Sequence, residues 1–130
     1  MTEVVSIGPR RVGEGEPVFV LAEVASAHQG EPEQVSKLAL AAKEAGADGI
    51  KFQLFRSEEL LAPTDPKMAV FRQIELPIAE WEKRLEEAGA LGVPIFADVF
   101  DRTSLALGER RGVVAYKVHS TDMENPEFIR

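Results

Sequence analysis

Four short apolar runs in this chain end in, or enclose, polar residues for which a packed strand has no use. Glu23 closes the first run and His28 follows in the next loop. Lys51 and Gln53 sit inside the second, Ile50-Lys51-Phe52-Gln53-Leu54. Asp98 closes the third, and Lys117, His119, Ser120 and Asp122 close the fourth. A polar group buried without a partner costs on the order of a few kcal/mol. Residues i and i+2 of a strand share a face, so Lys51 and Gln53 must point at a common partner. An edge strand with its polar face in water is the alternative, and the strongly apolar opposite face of Ile50, Phe52 and Leu54 argues against it.

Lys51 and Lys117 would place two cations at strand ends around one crevice. A buried cation requires an anion, so a phosphate or carboxylate ligand is a natural partner. The competing arrangement is a pair of internal salt bridges, to Glu23 and Asp122 for example. Ser120 and Thr121 offer hydroxyl donors to an anion, and Gln53, Glu23 and Asp122 have the chemistry to hold sugar hydroxyls. His28 fits three roles: a hydrogen-bonding loop histidine, a general acid–base, or a metal ligand. A local metal site from His28, Asp98, His119 and Asp122 is a further reading. Neither standard glycine-rich phosphate loop occurs. Trp81 and the Leu/Ala stripes have the spacing of helix core.

The elements that must position these groups follow from pattern. Val4 to Ile7 reads as a strand, turned by Gly8-Pro9-Arg10-Arg11, with a return strand beginning at Val12. Residues 1–16 thus form an appended hairpin, and residues 17–130 hold four βα units. Pro17 to Val24 is a near-continuous apolar run, as in a strand covered on both faces. Pro32 suits the first position of a helix, and Val35, Leu38, Ala39, Ala42 and Ala45 recur at helical spacing until Gly46 stops it. A strand over 49–54 follows, then a long connection from Arg56 to about Leu76 with a short helical piece at Met68–Ile74. Connections that long are often binding loops or lids. Ile78, Trp81, Leu85, Ala88 and Leu91 make the next helix, stopped by Gly92. Val93–Ala97 is a strand, Asp101 an N-cap for a helix over Arg102–Arg110, Val113–Val118 a strand, and residues 126–130 the start of a helix. Strand–helix alternation argues for parallel βαβ units, whose sites lie at the C-terminal strand ends.

At 130 residues the chain can bury a real core. Its net charge of −7 argues against nucleic acid and anionic membranes as partners. It has no cysteine, hence no disulfides or thiolate chemistry. Neither a signal-peptide pattern nor an apolar run near membrane-span length is present, which leads to an expected cytoplasmic location.

These segments resemble the N-terminal half of the sialic acid synthase family. The family pattern E-I-G-x-N-H-x-G corresponds to Glu23-Val24-Ala25-Ser26-Ala27-His28-Gln29-Gly30, and A-G-A-D-x-V-K-F-Q to Ala45 through Gln53. The stretch from Glu75 to Trp81 is similar to its L-x-x-x-x-W helix start. S-T-P-F-D corresponds to Ala97 through Asp101, and A-x-K-I-x-S-G-[ED]-x-x-N to Ala115 through Asn125. Asp98 replaces the pattern's threonine, Ala27 its asparagine, and His119 stands where a glycine is usual. The resemblance implies the first half of a TIM (β/α)8 barrel. It implies an enzyme, a C–C bond-forming transferase, condensing phosphoenolpyruvate with an N-acetylmannosamine-type sugar, assisted by Mn2+ or Mg2+. Lys51, Lys117 and Ser120 would bind phosphoenolpyruvate, Gln53 and Asp122 the acceptor sugar, and Glu23 would sit at the reacting centre. The family's metal ligands lie in the other half, so no metal is expected in this chain. The isolated chain would be inactive. A non-catalytic half-barrel that binds sugar or anion, or needs a partner to complete its site, is the alternative. An open half-barrel would bury its exposed edge by forming a homo-oligomer.

Overall fold

A computed structural model of the chain describes residues 3–130. Strands β1 (Val5–Ile7) and β2 (Arg10–Val12) form an antiparallel hairpin. Its two-residue turn has Gly8 at φ 55° followed by Pro9, a glycine-first turn that suits the twist of paired strands. The return strand therefore starts at Arg10, two residues before the Val12 expected from sequence.

The body is a parallel sheet of β3 (Leu21–Ala25), β4 (Gly49–Leu54), β5 (Ile95–Val99) and β6 (Ala115–Lys117), in the order β3-β4-β5-β6. Helices α1 (Pro32–Glu44), α4 (Ile78–Gly89) and α5 (Arg102–Arg110) make the crossovers. Short helices α2 (Ser57–Leu60) and α3 (Met68–Ile74) lie in the long connection, and α6 (Pro126–Ile129) ends the chain. Neighbours in space are neighbours in sequence throughout the sheet, without the reversal of a doubly wound fold. With crossovers of one hand, that order keeps all the helices on one side. The chain has the architecture of the first half of a (β/α)8 barrel.

The side chains divide accordingly. Ile50, Phe52 and Leu54 of β4, with Ile95, Ala97 and Val99 of β5, are buried in a core shared with Val35, Ala39, Trp81, Leu85 and Leu107 of the helices. Each large buried apolar side chain contributes about 1.5–3 kcal/mol. The opposite face carries Glu23, Lys51, Gln53, Phe96, Asp98 and Lys117, by the period of two.

Two strands differ from expectation. The first core strand begins at Leu21 rather than Pro17, because its partner β4 begins at Gly49 and the ladder opens at Leu21↔Gly49. Upstream of it, Val20 donates its backbone N–H to the Asp48 carboxylate (2.8 Å). Val18 and Val20 are exposed, so this run is not covered on both faces. The last strand covers three residues rather than Val113–Val118, since the backbone N–H of Val113 is drawn back to the Gly108 carbonyl (3.0 Å) at the end of α5.

Candidate functional site

β4 carries the centre of the site. Its register sets Lys51 beside Glu23 on β3, and Gln53 beside Asp98 on β5. Asp98 in turn pairs with Lys117 on β6. Four polar side chains from three neighbouring strands thus converge on the fully buried Asp98 or on the lysine next to it. Lys51 Nζ lies 3.0 Å from Glu23 Oε2 and 3.4 Å from Asp98 Oδ2. Lys117 Nζ is 3.7 Å from the same Asp98 oxygen, and Gln53 donates its amide N–H to it at 3.5 Å. Ser26 donates its hydroxyl to Gln53 Oε1 at 3.4 Å. Asp98 Oδ1 is buried without a hydrogen-bond partner among the described residues.

The expectation that Lys51 and Gln53 point at one partner holds: that partner is Asp98. The salt bridge from Lys51 to Glu23 is present, but Lys117 meets Asp98 rather than Asp122. Burial works against the Lys51 charge, yet the hydrogen bond to Glu23 and the negative charges of Asp98 and Glu23 outweigh it. Its pKa therefore lies above the usual lysine value.

The other expected residues lie elsewhere. His28 is buried on the helix side, edge-on to Trp81 (ring centroids 5.5 Å). Its Nδ1 accepts the Gly30 backbone N–H at 3.1 Å, and burial lowers its pKa. This is the loop histidine rather than a ligand in the crevice. His119 Nδ1 accepts the Thr121 backbone N–H at 3.3 Å and lies 2.8 Å from Thr121 Oγ1, and its ring tilts against Phe100 at 5.0 Å. Ser120 is exposed. Asp122 lines a separate cleft of about 490 Å3 with Asp101 and Arg102. Among the described residues no three His, Asp or Glu side chains gather as a metal site would need, so the metal reading for His28, Asp98, His119 and Asp122 is not borne out.

Sequence reasoning missed an aromatic cleft of about 330 Å3 that opens beside Gln53. Phe55, Phe71 and Phe100 line it together with His119 and Lys67, and the Phe55–Phe71 rings meet at 5.4 Å. Phe71 comes from the long connection, whose length was the only signal. That connection is fastened at both ends: Glu75 accepts the Ser57 backbone N–H (2.8 Å), and Asp101 accepts that of Arg56 (3.1 Å).

The loop joining β3 to α1 is wound tightly beside the cluster. Ala25 (φ 48°) and Gln29 (φ 52°) are both left-handed, a conformation non-glycine residues seldom adopt. A Cβ on Gly30 (φ 83°) would overlap the Gln73 carbonyl oxygen.

Residues 38–130, well over half of the chain, match the NeuB family. The chain belongs to the NeuB family. Among curated relatives, an uncharacterized protein of Methanocaldococcus jannaschii is 31% identical over 93% of this chain and 36% of its own length. The N,N'-diacetyllegionaminic acid synthase of Legionella pneumophila is 28% identical over 95% of this chain and 38% of its own. The crystal structure of N-acetylneuraminic acid (sialic acid) synthetase from Leptospira borgpetersenii, in complex with citrate, superposes with a TM-score of 0.88 at 26% identity. That match covers 99% of this chain and 45% of the synthetase. This NeuB chain spans a little over a third of the length of these curated relatives. Among its described residues no helix is long and apolar enough to cross a membrane.

Proposed function

We propose that this chain is the N-terminal part of a cytoplasmic sialic-acid-type synthase, which joins phosphoenolpyruvate to an N-acetylmannosamine-like sugar and releases phosphate. The observation that carries the reading is the lysine pair, Lys51 in the middle of β4 and Lys117 at the C-terminal end of β6, in a NeuB-family half-barrel. Lys51 and Lys117 supply the positive charge for the phosphate and carboxylate of phosphoenolpyruvate, with Ser120 adding a hydroxyl donor. Glu23, tied to Lys51, is the carboxylate nearest the reacting carbons. Gln53 holds a sugar hydroxyl, and the aromatic cleft beside it receives an apolar substituent of the sugar, while Asp122 faces the neighbouring cleft. These residues do not make a metal site, so the proposal assigns the ligands of a catalytic Mn2+ or Mg2+ to the region of the protein that this chain does not span.

The test is phosphate release by the full-length protein, given phosphoenolpyruvate with and without a panel of N-acetylated amino sugars. Release that requires both substrates, and falls about a hundredfold or more in Lys117→Met as expected when a charge-stabilising group is lost, supports the reading. Release without a sugar, or none with any sugar, overturns it.

The second reading is a half-barrel that works only when another body covers it, a second copy of the chain included. Its supporting observation is the exposure of Val18, Val20 and Leu21 beside β3 and of Val114 and Val118 beside β6. These are apolar margins at both ends of the sheet.

A further inference from the structure

The two lysines of the cluster are not held alike. Lys51 is buried and gripped from two sides, by Glu23 at 3.0 Å and Asp98 at 3.4 Å. Lys117 has a side chain 57% exposed and, among the described residues, pairs with Asp98 alone, at 3.7 Å. The charged groups here are Lys51 from β4, Lys117 from β6, Glu23 from β3 and Asp98 from β5, so two cations face two carboxylates and the cluster is neutral. Gln53 adds a neutral donor to the same Asp98 oxygen. A crevice built to attract an anion would carry surplus positive charge. This one carries a fixed negative group, fully buried at the position where the lysines converge.

We propose that Asp98 is a resident anion that sets the affinity of this site for phosphate-type ligands. Its carboxylate takes up the Lys117 charge that an incoming phosphate would need. The ligand binds by drawing the exposed Lys117 away from it, while Lys51 stays locked between Glu23 and Asp98. Asp98 is thus a specificity-determining residue: it disfavours small free anions and leaves the site to ligands with enough additional contacts to win the exchange. The inference rests on the lysine pair being the anion site of the proposed reaction.

Inorganic phosphate is the probe, titrated by calorimetry into the full-length protein. Asp98→Asn keeps an oxygen for the lysines and removes the charge. It is expected to bind phosphate at least tenfold more tightly than wild type, about 1.4 kcal/mol. Lys117→Met is expected to bind at least tenfold more weakly. Equal or weaker binding by a folded Asp98→Asn protein, judged by circular dichroism, overturns the proposal. Should Asp98→Asn not fold, Glu23→Gln decides. That side chain is 47% exposed, and its neutralisation is expected to raise phosphate affinity several-fold; no gain overturns the proposal. Gain in these variants without condensation in any assay would reject the proposed reaction and keep the resident anion. Condensation without gain would do the reverse.

Discussion

Lys51 stands between two carboxylates because β3 and β5, the strands on either side of β4, each place one on the same face of the sheet. Removing one partner of a buried charge pair costs about 3–5 kcal/mol, since the other stays buried and unpaired. Lys51→Met, which leaves the buried Asp98 with the exposed Lys117 and Gln53 alone, is therefore expected to lower stability by about 3 kcal/mol, the lower end of that range, read as a fall in the urea midpoint. Lys117→Met, with its side chain mostly in water, is expected to change stability by about 1 kcal/mol or less while still lowering phosphate release about a hundredfold or more. His28 carries a pH signature. Burial lowers its folded pKa from 6.5, so below that pH the unfolded chain takes up a proton that the folded ring resists. Its contribution is complete above pH 6.5 and is lost progressively as pH falls toward the folded value. Between pH 7.5 and 5.5 the melting temperature is expected to drop more in wild type than in His28→Phe, which keeps the ring on Trp81 but cannot titrate. Equal drops would show that other groups set the pH response.

At the scale of elements, Asp101 does the work of two residues. It caps α5 by accepting the Ser104 N–H at 2.7 Å and fastens the long connection through Arg56. Asp101→Ala is expected to cost about 2–3 kcal/mol, a cap plus a stranded backbone donor, where a simple cap would cost about 1 kcal/mol. Its cap role was readable because Asp followed by a periodic apolar stripe is a local signal. Its second bond was not, because it depends on β4 and β5 lying side by side. The same contrast runs through the site. Lys51 and Gln53 were legible from their misfit within an apolar strand, and the βα alternation placed their strand in a parallel sheet. A pairing of Asp98 with Lys51 or Lys117 could be anticipated from their opposite charges; that it takes both at once, with Gln53, required the register. His28 pairs with Trp81 across distant sequence, and the start of β3 at Leu21 follows from where β4 begins, so neither could be read locally. Ala25 shows strain of local origin: glycine tolerates φ 48° better than alanine does. Ala25→Gly is expected to stabilise the fold by about 0.5–1 kcal/mol, read in the same urea titration.

For the whole molecule, the sheet has two unequal faces and two ends. The helix side is filled by Phe52, Trp81 and Leu85, whereas the crevice side is polar at its centre and the ends carry exposed valines. Unpaired strand edges beside apolar surface favour association with another chain. The 130-residue chain expressed alone is expected to self-associate as its concentration rises, measured by light scattering. A monodisperse monomer across that range would show that the margins are adequately solvated as they stand.

The connection between β4 and α4 has its two ends drawn together, Ser57 against Glu75 at one point and Arg56 against Asp101 beside it. A loop closed at its base resembles a cassette set in a frame. Closing a loop costs little more as it lengthens, about 0.6 kcal/mol per doubling. Its interior can therefore be exchanged, lengthened or recoloured without disturbing the strands. Phe71 belongs to that cassette, while Phe55 and Phe100 belong to the frame. Grafting the stretch between Ser57 and Glu75 from one relative to another is thus a route to altering which sugar substituent is accepted, with the lysine pair and its carboxylates left in place.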